Sequence, residues 1–309
     1  MMTPIHKVAI VGAGLVGRGW AIVFARAGHE VTIYDARADI RAAVLGKISD
    51  SLLDMRKAGL IEAVEPVAQR LRVADTLEGA FGDADYVQES VFERADVKQA
   101  ICLEIDRAMR ADAVVGSSSS GIPASAFTQS CLNRARFLIV HPVNPPHLIP
   151  LVELVPAPWT DPAVVTWLRS EMEAVGQAPI VVRKEIEGFV LNRLQGALLN
   201  EAWALLEEGV ASAADIDLTV SHGLGFRWSF MGPFETIDLN APGGIADYAR
   251  RLGPLYHSIA LARRNPAPWS EELIHQAEAA RREKLPAAEL GERSAWRDRN
   301  LMALVARKR

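Results

Sequence analysis

One stretch near the start of the chain restricts its fold more than any other. Lys7–Val8–Ala9–Ile10–Val11 is a short, β-branched run that reads as a buried parallel strand. Gly12–Ala13–Gly14–Leu15–Val16–Gly17 follows without a gap, and a helical pattern then runs from about Arg18 to Ala27, stopped by Gly28. In such a strand–turn–helix unit the first glycine permits the tight turn. The second lets the backbone approach a pyrophosphate, and the third lets helix pack on strand. Leu15 and Val16 lie at the helix N-terminus, whose free N–H groups and partial positive charge suit a phosphate. Gly12, Gly14, Leu15, Val16 and Gly17 are therefore candidate dinucleotide contacts. Asp35 follows Gly17 by 18 residues, at the end of a second strand, Glu30 to Tyr34. A carboxylate there accepts hydrogen bonds from the adenosine ribose and repels a 2′-phosphate, which favours NAD over NADP. Arg37 is a nearby cation that can soften that preference.

Strand and helix continue to alternate. Strands are expected at Arg72–Val73, 85–88, 113–116, 136–141, 151–155 and 179–182, and helices at about 39–58, 96–109 and 161–175. The pattern is that of a Rossmann-like, doubly wound, mostly parallel sheet in an α/β protein. It changes near Glu185. A long helix is expected from Glu187 to about Glu208, with Val190, Leu194, Leu198, Ala202 and Leu205 on one side. Ser212–Ala213–Ala214–Asp215 is a capping signature for the next helix, and only helices and loops follow, to a last one near 294–304. The expected domains are a dinucleotide-binding domain over 1–185 and an all-helical domain over 186–309.

Composition narrows the function classes. Half of the 309 residues are hydrophobic and the net charge is only -4, which excludes a disordered chain. The negative balance argues against general nucleic-acid binding. No apolar run is long enough to span a membrane, and the start lacks the pattern of a signal peptide. Cys102 and Cys131 alone exclude a disulfide framework and a cysteine zinc cluster. No metal is expected, and the expected location is the cytoplasm.

The candidate reacting centre is His141, at the end of a strand and followed by Pro142–Val143–Asn144–Pro145–Pro146. Ligands of open α/β sheets bind at the carboxyl ends of strands. Glu153 lies 12 residues later, on the next strand, and adjacent strands can bring the two together. A carboxylate on one imidazole nitrogen orients the ring and stabilises its protonated form. Hydride removal from an alcohol carbon requires such a base. The other reading is a core histidine bonded to a carbonyl, with Glu153 on the surface. Glu153 stands between Val152 and Leu154, a costly place for an unpartnered charge. Ser117 to Ser120 end another strand and either bind ligand or cap a helix. Asn192, on the apolar side of the long helix, either reaches the site or holds a loop.

Together these residues resemble the 3-hydroxyacyl-CoA dehydrogenase family along nearly the whole chain. The resemblance puts the glycine turn on Gly12, Gly14 and Gly17, the acidic residue on Asp35, and cofactor contacts on Glu93 and Lys98 within Val91–Phe92–Glu93–Arg94–Ala95–Asp96–Val97–Lys98. It puts catalytic roles on Ser120, His141, Glu153 and Asn192, the last in Gly188–Phe189–Val190–Leu191–Asn192–Arg193, and implies cofactor contacts at Ser120 and Asn144. Met231–Gly232–Pro233–Phe234–Glu235 also matches. Within the family the chain is most similar to the branch of lambda-crystallin and L-gulonate 3-dehydrogenase. The carriers are His141 to Pro146, Ile149 to Pro156, Gly223–Leu224–Gly225–Phe226–Arg227, Asp238 to Ala241 and Trp296–Arg297–Asp298.

That resemblance implies NAD-dependent oxidation of a small 3-hydroxy acid, L-gulonate first, to the 3-oxo acid. His141 is the base, Glu153 its partner, and Ser120 and Asn192 are donors to the reacting oxygen. Arg227 is a candidate for the substrate carboxylate; a surface salt bridge is its other reading. A short-chain 3-hydroxyacyl-CoA dehydrogenase and a carnitine dehydrogenase are the enzymatic alternatives. The basic residues between Asp39 and Leu77 are balanced by Asp50, Asp54, Glu62, Glu65 and Asp75, which makes no strong trap for coenzyme A phosphates. A non-catalytic, crystallin-like NAD-binding protein is the remaining alternative. The family likeness further implies a homodimer through the helical domain.

Overall fold

The computed structural model describes residues 2–263 and 268–308. The elements are β1 (Lys7–Val11), α1 (Leu15–Arg26), β2 (Glu30–Tyr34), α2 (Ala38–Lys57), α3 (Glu65–Ala68), β3 (Leu71–Val73), α4 (Leu77–Phe81), β4 (Tyr86–Glu89), α5 (Ala95–Ala108), β5 (Val114–Ser117), α6 (Ser125–Thr128), β6 (Phe137–Pro142), β7 (Leu151–Pro156), α7 (Pro162–Ala174) and β8 (Ala178–Val181). Helices follow: α8 (Leu191–Glu207), α9 (Ala213–Leu218), a π-helical turn (Thr219–Leu224), α10 (Gly225–Trp228), α11 (Pro233–Leu239), α12 (Gly244–Ala262), α13 (Glu271–Lys284) and α14 (Leu290–Lys308).

The eight strands form one sheet in the order β3-β2-β1-β4-β5-β6-β7-β8. β1 to β6 are parallel to their neighbours. β7 runs antiparallel to β6, and β8 is parallel to β7. The fold is thus the expected Rossmann-like sheet followed by a helical region. The two-residue period of the strands divides the core into two layers. Val8 and Ile10 of β1, with Leu138 and Val140 of β6, join Trp20, Phe24, Leu52 and Leu168 on one face. Ala9 and Val11, with Phe137 and Ile139, join Phe81, Cys102, Ile105 and Phe127 on the other. The same parity sends His141 to the second face, the one shared by Val155 of β7.

Two compact units divide the chain: residues 1–193 with 293–309, and residues 194–292. The sequence reading ran the helical domain from 186 to the chain end. The difference at the end has a clear cause: Met302 is buried in the apolar layer of Trp20 and Leu168, with Leu301 and Val305 packed against it. The long helix also starts later than Glu187. Gly188 and Phe189 carry φ values of 73° and 51°, and a left-handed backbone cannot belong to a right-handed helix. In the second unit the expected cap is present, the Asp215 amide donating to Ser212 Oγ at 3.2 Å. The apolar face expected on α8 is not buried; Leu194, for one, is exposed.

Replacing Met302 by Ala should lower the stability of the intact chain by about 2 to 4 kcal/mol, since the cavity left beside Trp20 cannot fully close. Urea denaturation followed by tryptophan fluorescence measures this, and an unchanged midpoint would detach α14 from the sheet's core.

Candidate active site

The glycine turn is shaped by two close approaches and one opening. Gly12 has φ 99°, and a Cβ there would sit 2.5 Å from the Ser90 carbonyl oxygen. A Cβ at Gly17 would lie 1.8 Å from the Gly12 carbonyl oxygen. Gly14, the N-cap of α1, faces open space, as a residue that receives a ligand must. Leu15 is exposed beside it, and Val16 is half-buried. Asp35 ties the turn to β2: its carboxylate accepts from the Ala13 amide at 2.8 Å and from the Arg37 amide at 3.0 Å. The Arg37 guanidinium is engaged by Asp39 at 2.5 and 3.1 Å, so the cation that could soften the preference against a 2′-phosphate already has a counter-ion. A cavity of about 540 Å³ opens here, lined among others by Gly12, Gly14, Asp35, Val91 and Phe92. Amides at a helix start, a ribose-facing carboxylate and an apolar slot fit a dinucleotide such as NAD.

Beneath the serine loop lies a charged network. Lys98 is buried with its Nζ 3.1 Å from both carboxylate oxygens of Glu89 and 3.5 Å from Glu93. Glu89 also accepts from the Val91 amide and the Ser117 hydroxyl. Glu93 Oε1 accepts from Ser119 Oγ at 2.7 Å, the Ser120 amide at 2.8 Å and the Gly121 amide at 3.1 Å. Burial pushes the Glu93 pKa up, but the Ser119 hydroxyl, Lys98 and these amides outweigh it and leave it below the ordinary value. Glu93 therefore holds the loop that carries Ser120, and Lys98 anchors two carboxylates. Glu89, which the sequence reading missed, has one signal: a carboxylate ending the apolar strand Tyr86–Val87–Gln88.

His141 and Glu153 face each other in the antiparallel β6–β7 register. Both are buried, and imidazole Nδ1 lies 2.7 Å from Glu153 Oε2. The other carboxylate oxygen accepts from the amides of Val190 at 2.8 Å and Leu191 at 3.0 Å. Glu153 thus serves His141 with one oxygen and caps the N-terminus of α8 with the other, where a negative charge is favoured. Burial raises the Glu153 pKa, but the hydrogen bonds from His141, Leu191 and Val190 outweigh this and depress it. Phe189 was also missed from sequence. Its ring is fully buried, 5.7 Å from the imidazole. It is the one non-glycine residue with positive φ among the described residues, a conformation costing about 1 to 2 kcal/mol.

Asn192 stands in the first turn of α8, half-buried, and donates from Nδ2 to the Ser120 carbonyl oxygen at 2.5 Å. Ser120, Asn192, Glu153 and His141 are thereby joined through α8's first turn. A histidine whose Nδ1 is committed to a carboxylate keeps Nε2 for proton transfer. Asn144 is exposed in the loop between β6 and β7, beside the cis peptide bond to Pro145. Arg227 lies in α10 of the second unit and has no carboxylate partner among the described residues. No cluster of metal ligands occurs among the described residues, and no helix is long and apolar enough to cross a membrane.

Comparison with known proteins bears directly on this arrangement. Residues 7–186 match the 3-hydroxyacyl-CoA dehydrogenase NAD binding domain, and residues 188–287 match the C-terminal domain of the same family. Lambda-crystallin of Oryctolagus cuniculus is 37% identical over 311 residues, covering 98% of this chain and 96% of its own. L-carnitine dehydrogenase of Streptomyces coelicolor is 38% identical over 251 residues, covering 81% and 78%. The crystal structure of an NAD+-dependent dismutase, 5-formyl-3-hydroxy-2-methylpyridine 4-carboxylic acid 5-dehydrogenase, superimposes with a TM-score of 0.78 at 28% identity over 99% of both chains. The glycine turn, the NAD-fitting carboxylate and the match over both domains lead to one conclusion: the chain belongs to the 3-hydroxyacyl-CoA dehydrogenase family of NAD-dependent oxidoreductases.

Proposed function

We propose that this enzyme oxidises a small, free 3-hydroxy acid of the L-gulonate type to the 3-oxo acid, with His141 as the base. The observation that carries the reading is the buried contact of His141 Nδ1 with Glu153. With Nδ1–H donated to the carboxylate, Nε2 presents a lone pair to the substrate hydroxyl. As the proton moves to Nε2, the imidazolium is stabilised by Glu153 across the same hydrogen bond. NAD, when bound, supplies the hydride acceptor. Ser120 and Asn192 donate to the reacting oxygen, where their effect is greatest as charge develops. Gly12, Gly14, Leu15, Val16, Gly17 and Asp35 hold the dinucleotide, with Asn144 and Ser120 toward its reactive end and Glu93 and Lys98 fixing the serine loop. Arg227, a guanidinium without a carboxylate partner, receives the substrate carboxylate.

A free acid is favoured over an acyl-CoA because the basic groups after β2 are already neutralised: Lys57 pairs with Asp54 at 3.1 Å and Arg72 with Glu30 at 2.6 Å. Similarity to lambda-crystallin and to L-carnitine dehydrogenase supports the same choice. Phe226, Phe230, Phe234 and Leu239 are exposed on the second unit, and such apolar surface supports a homodimer through that unit. Two buried free cysteines support a reducing, cytoplasmic setting.

A spectrophotometric panel of L-gulonate, carnitine, 3-hydroxybutyrate and 3-hydroxybutyryl-CoA should give the highest kcat/KM with L-gulonate; a clear preference for the CoA thioester would reverse the assignment. His141→Ala should lower kcat by about 10²-fold or more while NADH affinity stays within about twofold, and near-normal turnover would remove the base. Arg227→Met should raise KM for free hydroxy acids about tenfold. An effect on dimer dissociation alone would end its carboxylate role. The Glu153 pKa is depressed from 4.5, so its contribution to stability is complete above 4.5 and is lost as pH falls through the lower folded value. Glu153→Gln should flatten that acid-side fall in melting temperature.

A further inference from the structure

We infer that Phe189 is a positioning residue that holds the His141–Glu153 pair in its working geometry. Three observations meet at this one side chain. Phe189 has a left-handed backbone, φ 51°, directly after Gly188 at φ 73°. That conformation turns the next two amides, of Val190 and Leu191, toward Glu153 Oε1 at 2.8 and 3.0 Å. The ring itself is wholly buried and packs at 57–60° class tilt, 58° to the imidazole plane, with centroids 5.7 Å apart.

A glycine would take this backbone without strain. Phenylalanine takes it at a cost, so the ring must return more than the backbone loses. What it touches indicates how. On one side it walls off the imidazole and limits its rotation about the Nδ1–Glu153 hydrogen bond. On the other it belongs to the apolar layer of Val155, Val182 and Phe127, which fixes the turn that leads into α8. Glu153 is thus held from two directions by one residue: its Oε1 through the amides that Phe189 orients, and its Oε2 through the imidazole that Phe189 packs. The sequence reading assigned this residue no role.

The inference rests on His141 being the base, and its test separates the two ideas. Phe189→Gly keeps the backbone conformation and removes the ring; Phe189→Leu keeps bulk. In the glycine variant kcat should fall about tenfold or more, with KM and NADH affinity changed less than about threefold, and leucine should restore much of the loss. The second readout needs no turnover. In 15N-histidine-labelled protein the proton between Nδ1 and Glu153 should give a downfield resonance in the wild type and Phe189→Leu, and a shifted or lost one in Phe189→Gly. An unchanged resonance together with unchanged kcat in Phe189→Gly would overturn the positioning role, as would losses that only follow the melting temperature. If the wild type oxidised no hydroxy acid, the base assignment would fail while the resonance still decided the role of Phe189.

Discussion

The structure turns on one buried carboxylate. Glu153 sits in a strand between two apolar residues, and burial alone would keep it protonated or expel it. It is ionised because two kinds of donor reach it: the imidazole of His141 on one oxygen and the first free amides of α8 on the other. Each partner needs the others. Without Glu153 the helix start would lack acceptors for those amides, and the imidazole would have no fixed orientation. The strand pairing, the left-handed turn at Gly188–Phe189 and the position of Asn192 all follow from satisfying this one group.

A second buried charge system does related work on the neighbouring strands. Lys98, Glu89 and Glu93 place an ammonium among two carboxylates under the loop from Ser117 to Gly121. Removing one member would strand the others in a medium that cannot solvate them, which commonly costs about 3 to 5 kcal/mol. The serine loop and the histidine strand are therefore held by polar interactions that tolerate little displacement. The glycine turn is held sterically, by backbone contacts that no Cβ could share. Rigid elements of this kind suit a dehydrogenase, where the distance between donor carbon, acceptor and base governs the rate.

Much of this was legible in the residues. All eight strands were expected within a residue or so of their positions, because parallel strands buried on both faces are continuous β-branched runs. His141 and Glu153 were paired on chemical grounds, the cost of an unpartnered charge in Leu151 to Val155. The reversal of β7 was not legible, since a buried strand reads alike in either direction. Neither was the start of α8: Glu187 to Val190 carries helical apolar spacing, and only the contacts of Phe189 and Glu153 reveal that the backbone turns left-handed there. Lys98 and Glu93 were recognised as site residues by resemblance, whereas Glu89 and the anchoring role of Lys98 required the packing of α5 on the sheet.

The sequence by itself determined the chemistry on offer: a phosphate-binding turn, a carboxylate that disfavours a 2′-phosphate, and a histidine and an acid on successive strands. These follow from local rules of backbone freedom, charge and period, which act within a few residues. Tertiary structure alone decided which side of each group is used. The division of Glu153 between imidazole and helix, the strained seat of Phe189 and the return of α14 to the first unit depend on partners 12 to 290 residues away in sequence. No local preference encodes such contacts, because they exist only once the apolar layers have closed.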